Sequence, residues 1–429
     1  MKVPVVVIGA GACGLTAALA AKDAGAEVLV LERDASPSGS TSLSSGFIPA
    51  AGTRYQRAAG IDDSPRLFAA DVMRKNHNEA DPRIVDAVCR GVGPTLEWLD
   101  DRHGVRFDVL QGFTYPGHSR LRMHAVAERT GEALMAALLR ACANVDILTS
   151  ARVTEVSNAE IVFQRPDGKS EQVEYGALVL ACSGFGGNRE MVRRFLPEIA
   201  DALYFGHGGN QGDAVRWGIA LGAEAKDMTA YQGHGSVATP HGILVTWALM
   251  TEGGIQVNEG GERFSNEHLG YSEQCLPVLR QPGGVAWCIY DERLHQLGMT
   301  FPDYRDAQAA GAVRPAPELP HLGRTLREVE KYAAGETKDP FGRDFTGKPK
   351  LVPPYYAVRV GGALFHTQGG LAVDERARVL PLRNVFAGGG AARGVSGAHV
   401  WGYLSGNGLL SAVGLGRIAG ESAARTGKA

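Results

Sequence analysis

Residues 3–32 constrain the fold more than any other stretch of the chain. Val5 to Ile8 is a continuous β-branched run, the pattern of a strand buried on both faces. It stops at Gly9-Ala-Gly11-Ala-Cys-Gly14, and an Ala/Leu-rich helical pattern begins at once. Gly9 permits a tight turn, Gly11 lets backbone approach a pyrophosphate, and Gly14 lets helix and strand pack closely. The helix start then aims free N–H groups and a partial positive charge at phosphate. A second apolar strand, Glu27 to Leu31, ends on Glu32, whose carboxylate can accept hydrogen bonds from a ribose diol. The glycine motif alone is a weak signal. Set between two strands and closed by an acid about twenty residues on, it marks a dinucleotide site.

A chain of 429 residues exceeds one ordinary core and predicts two domains. The formal net charge is −2, and no polybasic block suits nucleic acid or an anionic membrane. No apolar run reaches the roughly 18 residues of a membrane span. Val3–Ile8 reads as a strand of the cofactor site rather than as a signal peptide. Cysteines 13, 89, 142, 182, 275 and 288 form no CxxC pair and suit free thiols. These features predict a cytoplasmic protein with no nucleic-acid partner, no membrane span and no metal site.

Ser36 to Pro49 is a packed loop rich in hydroxyls, suited to thread between a pyrophosphate and a cofactor ring. Asp81-Pro82 reads as N-cap and first residue of a helix whose apolar stripe runs from Ile84 to Leu99. Strands are expected at 145–148, 152–156, 160–164, 172–175 and 177–182, and a helix at 214–221. From Met228 to Pro354 the strand–helix alternation stops and proline and glycine become frequent. The expected organisation is a nucleotide domain over 1–227, an inserted domain over 228–354, and a return to the nucleotide domain over 355–429.

In order along the chain stand the opening fingerprint, Ser40-Thr-Ser-Leu-Ser-Ser-Gly-Phe-Ile, Leu180-Ala-Cys-Ser-Gly-Phe-Gly-Gly-Asn188, and Gly212-Asp213. They are followed by Tyr231-Gln-Gly-His234, Gly254 through Glu267, Phe365-His-Thr-Gln-Gly-Gly-Leu371, Phe386-Ala-Gly-Gly-Gly and Gly397-Ala-His399. This arrangement resembles the fumarate reductase / 3-ketosteroid dehydrogenase superfamily of FAD flavoproteins over nearly the whole chain. The resemblance implies an α/β fold, a Rossmann-like FAD-binding domain with an inserted α+β cap domain closing over the flavin. It implies FAD contacts at Gly9, Gly11, Ala12, Cys13, Gly14, Glu32 and Arg33, and at Ser40, Thr41, Ser44, Ser45 and Gly46. Further contacts fall on Val153, Ser183, Gly184, Asn188, Asp213, Gly389, Gly390, Ser405, Gly406 and Leu409. The superfamily's covalently flavinylated branch carries a histidine in the loop after the first acid. Ser36–Gly46 holds none, so non-covalent FAD is expected. Where the family often has an acid after the Ala-Gly of the C-terminal strand, this chain has Gly389-Gly390.

The fumarate reductase branch uses positive charge to hold a dicarboxylate and an arginine to deliver a proton. His234 and His366 match its two substrate histidines, and Thr251-Glu252 its Thr-Glu pair, but its arginine positions match Tyr271 and Val400. The relay arginine after Thr-Glu is also absent, since Gly253-Gly254 follow Glu252. A buried dianion without partners costs several kcal/mol. A tyrosine at position 271 resembles the ketosteroid dehydrogenase branch, where a cap tyrosine works at the carbon beside a ketone. A phenol ordinarily ionises near pH ~10, so such a tyrosine needs a helping neighbour. The expected reaction is therefore α,β-desaturation of a cyclic ketone, or the reverse ene-reduction, with an electron acceptor or donor that the sequence does not identify. Tyr271 is the candidate acid/base. His366, Tyr403, His234 and Tyr115 are the other candidates for polarising the carbonyl or meeting substrate. Arg120 and Arg122 read as surface charges. One rival reading is fumarate-like reduction of an unsaturated acid with those arginines as replacements. Another is a flavin subunit that only relays electrons, against which stands the lack of haem and Fe–S cysteine patterns.

Overall fold

The computed structural model describes residues 2–427. Strand β1 (Lys2–Ile8) leads into helix α1 (Ala12–Asp23), and strand β2 (Val28–Leu31) follows. β1 pairs in parallel with β2 and with Ser170–Leu180, which pairs in parallel with Val385–Ala387. Ile8 lies opposite Leu31 and Leu180, and Leu180 opposite Ala387. Four strands therefore end level, and Gly9, Glu32, Ala181 and Gly388 gather at one edge of the sheet. In open parallel sheets that carboxyl edge is where ligands bind.

Two expected strands, 172–175 and 177–182, form one element, Ser170–Leu180. Its first half pairs antiparallel with Glu160–Gln164 and its second half in parallel with β1, so one strand serves two ladders. Above the sheet α1 crosses the C-terminal helix Asn407–Gly427 at backbone contact. A Cβ on Gly416 or Gly420 would lie 2.6 Å from Cys13 O or 2.1 Å from Ala17 O. That closeness explains why both helices are built from alanine and glycine. The helix Pro82–His103 starts where expected, with Asp81 accepting from the Arg83 N–H, and stops at Gly104 in the left-handed region.

Contacts divide the chain into two compact units. The first comprises Met1–Pro197, Gly206–Tyr231 and His366–Ala429, the second Glu198–Phe205 and Gln232–Phe365. These borders differ from 227 and 355 for a topological reason. Leu203–Tyr204 pairs with Tyr355–Thr367, and that strand's length belongs to the second unit's sheet. Its strand order is Ile243–Leu244, Tyr231–Ala238, Tyr355–Thr367, Val285–Asp291, Ile255–Val257. Helix Leu322–Ala333 supplies Leu322 and Val329 to a core shared with Ile255, Trp287, Ile289 and Phe345. Among the described residues no helix is long and apolar enough to cross a membrane.

Candidate active site

In the first unit the glycine fingerprint is dictated by sterics. Gly9 has φ +101°, and a Cβ there would lie 2.7 Å from Ala181 O. A Cβ on Gly14 would lie 1.8 Å from Gly9 O, so helix and turn touch directly. Gly11 is different, for only Thr41 Oγ1 comes within 4 Å of its Cβ position, at 3.6 Å. Space is thus kept open at the start of α1, whose N-cap residue Gly11 has no side chain to cap its N–H groups. A pyrophosphate fits that cradle. The Ala12 N–H already donates to Thr41 Oγ1. Glu32 accepts from Ala10 N–H (2.8 Å) and Asp34 N–H (2.9 Å), which fixes its carboxylate over the turn with lone pairs left for a ribose. Beside it Arg33 donates to Gly209 O and pairs with Asp34, while Ser40 accepts from Asn210.

Other predicted cofactor residues line the same edge by backbone rather than side chain. Ser183 (φ +66°), Gly184, Gly389 (φ +58°) and Gly390 form the turns after two of the level strands, and a Cβ on Gly390 would lie 2.8 Å from Gly184 N. Cys13 is buried on α1, and burial pushes its thiol up to about 12, so it packs rather than reacts. Several hydroxyl and amide groups are taken by the protein itself. Ser44 Oγ donates to Thr41 O and accepts from Gly46 N–H. Asn188 caps the helix Arg189–Phe195 and donates to Gln211 O. Asp213 pairs with Arg216, and the Val153 side chain lies in the core. Ser45 and Leu409 are partly buried, and Gly46 (φ +71°) packs on Thr130 O. Gly406 (φ +88°) packs on Pro49 and precedes the C-terminal helix, while Ser405 O accepts from His118 Nε2 at 2.9 Å.

Two candidate residues meet in this unit. His366 and Tyr403 lie edge to face, with ring centroids 5.6 Å apart. Ser396 Oγ donates to Gln368 Oε1, so the Gln368 amide nitrogen donates to His366 Nδ1 at 2.8 Å. That bond outweighs a 3.5 Å approach of Nδ1 to Thr367 O. Burial lowers the His366 pKa to about 4, and a neutral imidazole held this way carries its proton on Nε2. His366 is therefore a neutral N–H donor beside the start of the C-terminal helix. Tyr115 stands edge-on to Phe113 and lines a crevice with His118 and Arg120. Arg122 does not lie on the surface as expected. It is 1% exposed and ion-paired with Asp63 and Asp71, partners distant in sequence. Arg120 is exposed and donates to Asp62 O and Ser119 O.

In the second unit the candidates are the centre of an aromatic column. Tyr271 stacks on His234 (4.6 Å, 16°), His234 on Phe365 (5.0 Å, 24°), and Phe365 on Phe205 (4.9 Å, 22°). Trp247 stands edge-on to both His234 and Tyr271. Burial drives the His234 pKa down to about 3, so the ring is neutral. His234 Nδ1 and Trp247 Nε1 are buried without a hydrogen-bond partner among the described residues, an uncommon state for interior polar atoms. Tyr271 and His234 are sequence candidates, whereas Trp247, Phe365 and Phe205 read by type alone as core.

No sequence pattern marks the buried charge cluster around Glu267, on the turn that precedes Tyr271. Glu267 accepts from Gln256 N–H and from Arg263 at 2.7 Å, it is ion-paired with Arg343 at 3.1 Å, and Asp339 pairs with Arg263. Burial alone would raise the Glu267 pKa, but Arg343, Arg263 and the Gln256 N–H override it and hold the carboxyl at about 2. A depressed folded-state pKa contributes stability above the unfolded value of ~4.3, lost as pH falls toward 2. Glu267→Gln is expected to destabilise the protein by about 3–5 kcal/mol at pH 7, because two buried guanidiniums lose a shared carboxylate. It is also expected to flatten the acid limb between pH 4 and 2. Urea unfolding across pH checks both.

A family model described as FAD binding domain matches residues 4–409. The chain is 28% identical over 442 residues to the probable fumarate reductase Ifc3 of Shewanella frigidimarina, covering 98% of this chain and 74% of that protein. Among solved structures, it is similar to a flavocytochrome c3 fumarate reductase in its open conformation (TM-score 0.82, 26% identity, 99% and 78% of the two chains). It is similar also to a 3-ketosteroid-Δ4-(5α)-dehydrogenase from Rhodococcus jostii RHA1 in complex with 4-androstene-3,17-dione (TM-score 0.79, 26% identity, 99% and 97%). A cradle whose glycines keep pyrophosphate space open, matched over nearly the whole chain, makes this protein a member of the FAD-binding oxidoreductase family that includes these enzymes.

Proposed function

We propose that the protein desaturates a cyclic ketone, a 3-ketosteroid or a smaller oxocyclohexane, between the α and β carbons, or runs the same step in reverse. The observation that carries this reading is the neutral aromatic column around Tyr271. A flat ring suits aromatic walls. A dicarboxylate needs guanidiniums, and the buried arginines are committed, Arg122 to Asp63 and Asp71, Arg263 and Arg343 to Glu267. In the desaturating direction the Tyr271 oxygen, once its own proton has passed to solvent, takes the α proton. His366 Nε2–H, with Tyr403 beside it, is a neutral donor of the kind that polarises a ketone oxygen, and polarisation makes an α proton acidic. Bound FAD supplies the acceptor for the β hydride. A second reading, reduction of an unsaturated acid, rests on the likeness to Ifc3. Dithionite-reduced protein offered 4-androstene-3,17-dione, 2-cyclohexenone and fumarate separates the two. Reoxidation by an enone, with fumarate slower by at least about 100-fold (~2.7 kcal/mol), supports the ketone. The opposite order overturns it.

A further inference from the structure

We propose that Arg343 is a positioning residue for Tyr271, an inference that rests on the acid/base reading of that tyrosine. Tyr271 is gripped by two short segments that are not neighbours in sequence. One begins at Trp247, which stands edge-on to the Tyr271 ring, and continues through the helical turn Ala248–Thr251 to Gly254. The other is the turn Glu267–Leu269, followed by Gly270 (φ +138°) and Tyr271 itself. Arg343 joins them. Its guanidinium donates to Met250 O at 2.7 Å and Gly254 O at 2.8 Å, and it pairs with Glu267 at 3.1 Å. The Arg343 side chain is fully buried, and its own N–H donates to Asp339, the partner of Arg263.

The chemistry of the group explains why an arginine stands there. Two main-chain carbonyls and a carboxylate surround the group, and the planar fork of a guanidinium spreads its donors over them from Nη1 and Nη2. Two guanidiniums and two carboxylates brace the turns while leaving the cluster without net charge. The tyrosine is fixed at its other end by its own carbonyl, which accepts from Gly235 N–H at 3.0 Å. Arg343 thus sets the angle at which the phenol meets substrate, without touching substrate.

The test is a double-mutant cycle on the flavin-loaded protein, reading single-turnover reoxidation of reduced flavin by 2-cyclohexenone. Arg343→Met is expected to slow that step by about 10-fold or more, with the enone concentration for half-maximal rate shifted less than about threefold. Added to Tyr271→Phe it is expected to cost less than about twofold more, because both act through one oxygen. Arg343→Lys is expected to lie between Met and wild type, and it replaces Met in the cycle if Arg343→Met fails to fold. Amide hydrogen exchange of residues 268–272 is expected to quicken in Arg343→Met while the flavin spectrum stays unchanged. Full additivity of the two losses, or a wild-type rate in both Arg343 variants, overturns the proposal. If Tyr271→Phe itself keeps the wild-type rate, the acid/base reading fails first and takes this one with it.

Discussion

Tyr271→Phe is expected to slow enone reduction by about 10²–10⁴-fold, the usual range for losing a positioned proton donor. The substitution removes one oxygen and keeps the ring that stacks on His234 at 4.6 Å and meets Trp247 edge-on. Packing, melting temperature and FAD content are therefore expected to stay at wild-type values. The concentration of enone giving half-maximal rate is expected to change little, because an interaction made chiefly in the transition state lowers rate rather than affinity. Stopped-flow reoxidation of the reduced protein, with flavin absorbance as the signal, measures rate and apparent affinity together. A variant that turns over normally would place the proton on another group.

The second large effect separates the fold from the cofactor within one motif. Gly14→Val is expected to abolish folding, since a Cβ there would sit 1.8 Å from Gly9 O with no room to move. Gly11→Val is expected to fold with a near-wild-type melting temperature in the apoprotein. Gly11 has φ −81°, open to any residue, and only Thr41 Oγ1 lies within 4 Å of its Cβ position. Yet that side chain would fill the space at the start of α1, and FAD binding is expected to weaken by at least about 100-fold (~2.7 kcal/mol). Circular dichroism melts beside flavin titration check both. Wild-type FAD affinity in Gly11→Val would put the pyrophosphate elsewhere.

These contrasts show why some features were legible in the chain and others were not. The fingerprint is local, and its steric logic is written in consecutive residues, so Gly9, Gly14 and Glu32 read directly. Tyr271 is a candidate only through its place in a longer motif. Arg122 was not legible, because the carboxylates that bury it come from Asp63 and Asp71, 59 and 51 residues away. The Arg343–Glu267 pair hides in the same manner, for no spacing rule links those positions. Ser44 and Asn188 show the opposite case. Their polar groups suggest ligand contacts from sequence, and the structure shows that they also cap their own turns. The second unit's borders escaped because Leu203–Tyr204, only two residues long, joins a strand far along the chain.

The central claim, that this flavoprotein works on a ring ketone, is tested most directly in the oxidising direction. Purified yellow protein is mixed anaerobically with a saturated cyclic ketone, cyclohexanone or a ring-saturated 3-ketosteroid, and separately with succinate. The ketone is expected to bleach the oxidised flavin band and to yield one enone per flavin, while succinate leaves the spectrum unchanged. Bleaching by succinate with no response to either ketone would contradict the central claim.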